Sequence, residues 1–271
     1  MKPLQSTVMP GAAADGRLRV ATYNIHKGVR GMGPAKRLES HNLCLAVEAF
    51  EADLVCLQEV RHAHRADARR FDRSRFGWPQ EGQAEFLAPD GYSVAYRTNA
   101  FTRSGEHGNA LLSRWPIGDV GHHDVSDHRF EQRGLLWVPV HCPGGALNVI
   151  VAHFGLSHTS RLRQAQRLGI FIERELDPAV PLLVAGDFND WGERLDIPMR
   201  GAGLRRASAP AAAGAGAQRS LTFPSLAPVF ALDRIYTRGL RCLSTFVPRG
   251  TSWARMSDHL PLVAEFELER A

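Results

Sequence analysis

Apolar residues recur along this chain in two rhythms, and the switches between them mark out its elements. Leu18 to His26 reads as a strand that turns polar at Asn24 and His26, and the glycines and proline of Lys27 to Pro34 then form a loop. Lys36 to Phe50 spaces Leu38, Leu45, Ala46, Ala49 and Phe50 near a helical period. Asp53 to Val60 follows as a strand and completes a strand–helix–strand unit. Arg61 to Arg75 is rich in Arg and His and predicts an exposed loop or short helix. Glu85 to Leu87, Tyr92 to Tyr96 and Gly108 to Ser113 are strand candidates joined by Gly and Asn turns. Leu135 to His141 and Leu147 to His153 flank Pro143-Gly144-Gly145, a hairpin signal. From Ser160 to Leu176, the residues Leu162, Ala165, Leu168, Ile172 and Leu176 share one helical face.

The second half repeats the theme. Pro181 to Ala185 is a strand, Glu193 to Met199 a short helix interrupted by Pro198, and the Ala/Gly/Ser-rich stretch Arg205 to Arg219 a mobile loop. Val229 to Tyr236 and Leu262 to Leu268 close the set as strands. Many strands, few helices and a hairpin point to a mixed-sheet layered fold. Residues 1–17 read as a disordered tail, and 18–271 as a single domain without a linker.

Several apolar runs end in polar strings. Ala52 to Leu57 ends in Gln58-Glu59, and Pro181 to Ala185 runs into Gly186-Asp187-Phe188-Asn189-Asp190. Near the C-terminus stands Ser257-Asp258-His259-Leu260-Pro261. Strand ends bearing Glu, Asp, Asn and His suggest a hard-metal site with a general base. Each has a plainer reading alone. Glu59 could be a solvated carboxylate, His153 a satisfied core histidine after Val149-Ile150-Val151-Ala152, Asp233 a partner for Arg234, and Asp258-His259 a turn cap. Those readings do not explain the ordered set, which points to a metal-dependent phosphoester hydrolase.

Bulk properties narrow the setting. Hydrophobic residues make up 44% of 271 residues, enough for a sizeable core. A formal charge of +5 suits a polyanionic partner, either nucleic acid or an anionic membrane surface. Cys44, Cys56, Cys142 and Cys242 form no CxxC pair and read as free thiols in a reducing compartment, not a zinc cluster. His62, His64, His122, His123 and His128 read as surface histidines. No apolar run approaches the roughly 20 residues that span a bilayer, and the first residues lack the apolar core of a secretory signal, so a cytoplasmic protein is expected.

The strings Thr22-Tyr23-Asn24, Leu57-Gln58-Glu59-Val60, Gly108-Asn109-Ala110-Leu111-Leu112-Ser113, Ala152-His153-Phe154, Gly186-Asp187-Phe188-Asn189, Leu232-Asp233-Arg234-Ile235 and Ser257-Asp258-His259 stand in one order. In that order they resemble the endonuclease/exonuclease/phosphatase superfamily, the deoxyribonuclease I-like proteins, from about Arg19 to Phe266. The resemblance implies a four-layer α/β sandwich of two packed mixed β-sheets with outer helices. It implies a phosphodiester hydrolase using Mg²⁺, with Mn²⁺ as a substitute. Glu59 matches the main metal-binding carboxylate, with Asn24 beside it and Asp258 as a further metal-side carboxylate. His259 looks like a base partner oriented by Asp233, whereas Asp187 matches the residue that positions or deprotonates the attacking water. Asp187 and His259 are thus rival candidates for the base. Asn189 and His153 match groups that contact the scissile phosphate, and Asn109 joins the substrate-binding candidates.

Two substrate classes stay open. Arg61, Arg65, Arg69, Arg70, Arg73 and Arg75 could track a phosphate backbone, and Trp191 and Trp253 could stack on bases, which favours nucleic acid. Alternatively, Thr222-Phe223-Pro224, Pro228 and Leu232-Asp233 resemble sphingomyelinase-like members, and Phe223 would then meet a phospholipid interface. Inositol polyphosphates fit less well, because Ala227 to Leu232 contains no basic residue. A non-catalytic binding module is the contrasting class, and no catalytic residue is missing to favour it.

Overall fold

The computed structural model describes residues 16–31, 35–72, 77–79, 81–208 and 219–269. In chain order, β1 (Arg17–Asn24) leads through one 3-10 turn (His26–Gly28) to the short pair β2 (Val29–Arg30) and β3 (Arg37–Leu38), then α1 (Ser40–Ala49) and β4 (Leu54–Val60). After α2 (Arg65–Arg70) and α3 (Gln83–Leu87) come β5 (Ser93–Thr102), β6 (Gly105–Ser113), β7 (Gly121–Asp124), β8 (Gly134–Cys142) and β9 (Gly145–His153). The long helix α4 (His158–Glu175) precedes β10 (Leu182–Asp187), α5 (Asp196–Gly201) and β11 (Arg205–Arg206). The chain ends in β12 (Asp233–Arg238), β13 (Leu240–Phe246), α6 (Trp253–Met256) and β14 (Leu262–Leu268).

Two six-stranded mixed sheets result, ordered β13-β14-β1-β4-β6-β5 and β11-β12-β10-β9-β8-β7. Each has one parallel pair at its centre, β1 with β4 and β9 with β10, and each pair is bridged by a helix, α1 or α4. Two strand–helix–strand units therefore stand back to back.

Alternation along the strands explains the layers. In β1, Leu18 and Val20 pack between the sheets while Ala21 and Tyr23 pack against α1. In β9, Val149 and Val151 join the inter-sheet core while Ile150 and Ala152 meet α4. Both faces of each central strand are buried, so these segments read as continuous apolar runs. Ser157 caps α4 by accepting from the Ser160 N–H at 3.1 Å, and Ala165, Leu168 and Ile172 face the sheet. The expected four-layer α/β sandwich is what the chain forms.

Some local expectations change. Residues 85–87 lie in helix α3, not a strand: Ala84 and Leu87 are buried at helical spacing against the α1 side. Arg205–Arg206, expected in a mobile loop, pair with β12 as an edge strand, while 209–218 of that stretch lie outside the described residues. His122 and His123 belong to the edge strand β7. The strand expected from Val229 begins at Asp233; Phe230 makes only an isolated bridge to Phe223. Of the expected tail, 1–15 lie outside the described residues and Arg17 already pairs with Glu267. The four cysteines are free, with Cys56 buried. No helix among the described residues is long and apolar enough to cross a membrane.

Candidate active site

The C-terminal ends of both parallel pairs meet at one edge of the sandwich. Register sets the first contacts: Asn24 lies beside Gln58, and Asp187 lies between His153 and Asp233 on its two neighbouring strands. Gly186 permits this arrangement. Its φ is +155°, and a Cβ there would collide with the Ala152 carbonyl oxygen of the adjacent strand.

Asp187 is the hub. Its Oδ1 accepts from the Asn189 backbone N–H at 2.9 Å, and its Oδ2 accepts from Asn24 Nδ2 at 3.1 Å, a bond that joins the two sheets. The ring Nε2 atoms of His153 and His259 lie 3.5 and 3.6 Å from the same Oδ2. His259 Nδ1 is 2.8 Å from Asp233 Oδ2, and both side chains are buried. Asn189 is held in the left-handed region (φ 49°) and donates from Nδ2 to the Phe154 carbonyl, which leaves one amide hydrogen free.

Sheet one supplies a second group. A bulge between Leu57 and Val60 breaks the pairing of β4 with β6 and puts Glu59 at φ 57°. Lys27 Nζ lies 2.7 Å from Glu59 Oε2, and His26 Nδ1 lies 3.2 Å from Asp258 Oδ1 and 4.0 Å from Glu59 Oε2. Lys27 and His26 also adopt positive φ, so four of the residues at this edge are in strained conformations. Ser257 Oγ donates to the Asn24 carbonyl at 2.7 Å and pins the 257–259 string to β1.

The electrostatics divide the site. Burial opposes charge on His259, but the Asp233 and Asp187 carboxylates outweigh it and push its pKa up to about 10. Burial, reinforced by the Arg133 charge, takes His153 down to about 4, so its ring is neutral at neutral pH. Burial raises the Asp187 carboxyl despite its two histidine neighbours. Burial would raise Glu59 too, yet nearby cationic groups hold it well below the usual range; with His153 neutral, Lys27 is the main counter-charge.

Two places could hold a cation. Donor atoms of Asp187, Asp233 and His259 lie within 4.8 Å of one another. A histidine ring that keeps both protons offers no lone pair, so this trio is poorly suited to a metal. The Glu59 side fits better: Glu59, Asp258 and the Asn24 amide are all hard oxygen donors, and Glu59 Oε2 is buried with no well-aligned hydrogen-bond donor.

Other sequence candidates are placed differently. Asn109 is fully buried and ties the sheets by donating from Nδ2 to the Gly134 and Val151 carbonyls, so it has no surface for substrate. Trp253 stacks on Phe50 at 5.6 Å in the α1-side core and does not join the cluster around Asp187. Arg61 is buried and paired with Asp67, which also takes Lys36 Nζ at 2.5 Å, so it is a structural cation. Arg65, Arg69 and Arg70 are exposed on α2, and Arg73 and Arg75 lie outside the described residues. Trp191 and Phe223 do reach the site edge: Phe223 lies 4.9 Å from the His259 ring and 5.4 Å from Trp191.

Sequence reasoning missed Lys27, His26 and Asp190. Asp190 forms a fully buried pair with Arg234, so the plainer reading of Asp233 as a partner for Arg234 does not hold. The presence of Asp190 inside the 186–190 string was a usable signal; the positive φ of His26 and Lys27 left none.

A family model described as Endonuclease/Exonuclease/phosphatase family matches residues 21–259. The chain belongs to that family. Across 265 residues, it is 38% identical to the uncharacterized protein YbhP of Escherichia coli K12, covering 96% of this chain and 100% of YbhP. Two solved structures share the fold. The mannosyl-6-phosphatase Bt3783 of Bacteroides thetaiotaomicron matches with TM-score 0.65 at 17% identity, covering 92% of this chain and 99% of that one. The human Nocturnin catalytic domain with bound sulfate matches with TM-score 0.63 at 20% identity, covering 94% and 95%. Membership gives the chain a hydrolase fold whose members act on phosphoester bonds.

Proposed function

We propose that this chain hydrolyses phosphodiesters with the help of a divalent cation, Mg²⁺ or Mn²⁺, and that Asp187 is the base. The observation that carries this reading is the Asp187 carboxylate, buried at the meeting edge of the sheets and approached by Asn24, His153 and His259. Glu59, Asp258 and Asn24 would hold the cation, which when bound neutralises charge on the phosphate oxygens.

Protonation supports Asp187 over His259 as the base. A ring whose pKa stands near 10 keeps its proton at neutral pH, so His259 is a donor. Asp233 holds the ring in that state, and the ring's Nε2–H would offer its charge to the phosphoryl oxygens of a bound substrate. Asp187, with its pKa raised but its carboxylate still stabilised by two donors, takes the proton of the attacking water. Neutral His153 and the spare Asn189 amide hydrogen complete the contacts to the phosphate.

Nucleic acid is the favoured substrate, supported by the +5 charge and the exposed arginines of α2. One observation favours a phospholipid headgroup as second reading. Leu226 is 81% exposed and Val229 61% exposed on the loop that carries Phe223 and Phe230, beside half-exposed Trp191. The test is Mg²⁺-dependent hydrolysis of a small aryl phosphodiester, with oligonucleotides and phospholipid vesicles in parallel. Asp187→Asn should lose at least about 10²-fold in turnover, and Glu59→Gln should raise the Mg²⁺ concentration needed. Wild-type turnover by either folded variant removes that residue from its role.

A further inference from the structure

The edge does not end at Glu59. β5 and β6 form a hairpin whose tip carries Phe101 and Arg103, and the connection from β7 to β8 carries Arg129, Phe130 and Arg133. Between them lies a pocket of about 410 Å³, lined by Phe101, His107, Arg129, Phe130, Glu131 and Arg133. The walls are tied together: the Phe101 N–H donates to Gln132 Oε1 at 2.9 Å.

One carbonyl links the pocket to the candidate active site. Arg133 Nε donates to the Phe154 carbonyl at 3.2 Å, and that carbonyl also holds Asn189 Nδ2. The pocket is therefore tied to the carbonyl that positions Asn189, a proposed phosphate contact.

Its composition is the informative part. Phe101 is 72% and Phe130 82% exposed, on a wall that is otherwise polar. Isolated exposed apolar residues need no explanation. Two phenyl faces flanking a cationic pocket beside a phosphate site do. Arg129 stacks over Phe130 with its guanidinium carbon 4.6 Å from the ring centroid. It makes no ion pair or hydrogen bond among the described residues. Glu131 is spent on Arg133 Nη2 at 3.2 Å and the Leu156 N–H at 3.0 Å, so it does not neutralise Arg129. Beyond the hairpin the charge continues. The Arg65 N–H donates to the Ser104 carbonyl at 2.8 Å, which docks α2, with its exposed Arg65 and Arg69, on the tip that carries exposed Arg103.

We propose that this pocket is a nucleotide subsite flanking the scissile phosphate. An unpaired base stacks on the exposed faces of Phe101 and Phe130, and the neighbouring phosphate meets Arg129. The strand then passes over Arg103 toward α2. Flat apolar faces set among cations suit bases joined by phosphates. An acyl chain needs contiguous apolar surface, which this pocket lacks. A base within a duplex cannot present its face, so the ligand is single-stranded or frayed nucleic acid. The inference rests on the phosphodiesterase reading in one respect, that the strand is the substrate.

Binding in EDTA tests the subsite without turnover. A short fluorescein-labelled oligothymidylate is compared by anisotropy with an abasic sugar-phosphate strand of equal length. Replacing both Phe101 and Phe130 by Ala should weaken oligothymidylate binding about tenfold or more while leaving the abasic strand within about twofold. Phe→Leu at both positions should behave like Ala, because it keeps apolar area but loses the π face. Arg129→Ala should weaken both strands and flatten the salt slope by about 0.7. Both rings are largely exposed, so their truncation leaves the core intact, and circular dichroism melts check this.

Equal binding of the two strands by wild type overturns the proposal, as does wild-type affinity in the double Ala variant. Leu variants that match wild type, or a loss confined to anionic phosphatidylglycerol vesicles, would mark an interfacial surface and overturn it too. The two readings fail separately. Base-dependent binding without metal-dependent cleavage would sink the phosphodiesterase reading and keep the subsite. Cleavage of the small diester without base-dependent binding would do the reverse.

Discussion

The buried pair between Asp190 and Arg234 offers a sharp test of how the site is supported. Both side chains are fully buried, with Arg234 Nη1 2.7 Å from Asp190 Oδ2 and Nη2 donating to the Asp190 carbonyl at 3.0 Å. Arg234→Met leaves the Asp190 carboxylate with the backbone N–H groups of Arg194 and Leu195 but no cation in the pair, so a buried charge is stranded. That stranding should cost about 5 kcal/mol, the upper part of the range for breaking a buried pair. Asp190→Ala is milder, about 3 kcal/mol, because the guanidinium keeps the Ala231 carbonyl, the Tyr236 hydroxyl and Asp196 at 3.6 Å. The double variant strands neither charge and should be more stable than Arg234→Met alone. Urea melts on the four proteins measure the cycle, and the Arg234→Met midpoint should fall by roughly 10 °C or more in thermal melts. Since Asp190 anchors the loop after Asp187, hydrolysis should also fall in Arg234→Met well below its melting temperature. Additive single costs, or a midpoint shift of only about 2 °C, would refute the claim that this pair acts as a coupled buried anchor.

Two further outcomes follow from the geometry. The His259 pKa is raised on folding, so the folded state holds its proton more tightly than the unfolded chain. The stability this contributes is complete below the unfolded value of about 6.5 and is lost as pH rises through about 10. In EDTA, wild-type melting temperature should therefore fall from pH 7 to 10 more steeply than that of His259→Gln; parallel slopes would contradict the assigned charge. Gly186→Ala should destabilise by about 1–3 kcal/mol from backbone strain alone and abolish hydrolysis by displacing Asp187 from His153. A near wild-type melt with full turnover would show that the β9–β10 approach is looser than described.

The sequence was most legible where one residue type had one physical use. Continuous apolar runs ending in carboxylates marked β4 and β10, and the helical stripe Ala165, Leu168, Ile172 marked α4, because burial on both faces or one stripe leaves a plain pattern. Short edge elements were not legible. β7 carries His122 and His123 on a half-exposed edge, and β11 is two arginines, so neither shows an apolar period. At the site, Asp187, His259, Asp233, Asn24 and His153 were named from their strings and the fold brings them together. Asn109 was drawn to the site by its place in one such string and Trp253 by sequence proximity to another, whereas alternation sends Asn109 between the sheets and the 253–256 turn sends Trp253 against Phe50. Proximity along the chain does not specify which face a side chain takes.

Assembly of the site follows from the duplicated architecture. Neither strand–helix–strand unit holds a complete site. Sheet one ends in Asn24 and Glu59, and carries the string with Asp258 and His259 at the start of β14; sheet two ends in His153 and Asp187, with Asp233 opening β12. The bonds that join them, Asn24 to Asp187 and His259 to Asp233, both cross between the sheets. The oxygens proposed to hold a cation thus come from one sheet and the proposed base from the other, so the site exists only when the inter-sheet core around Val20, Cys56, Val151 and Ala185 is packed. A core substitution there that shifts one sheet by a fraction of an ångström will separate base from cation before it unfolds the chain. Activity should therefore be lost ahead of secondary structure as denaturant is raised, because the two halves are coupled through packing and a few buried hydrogen bonds.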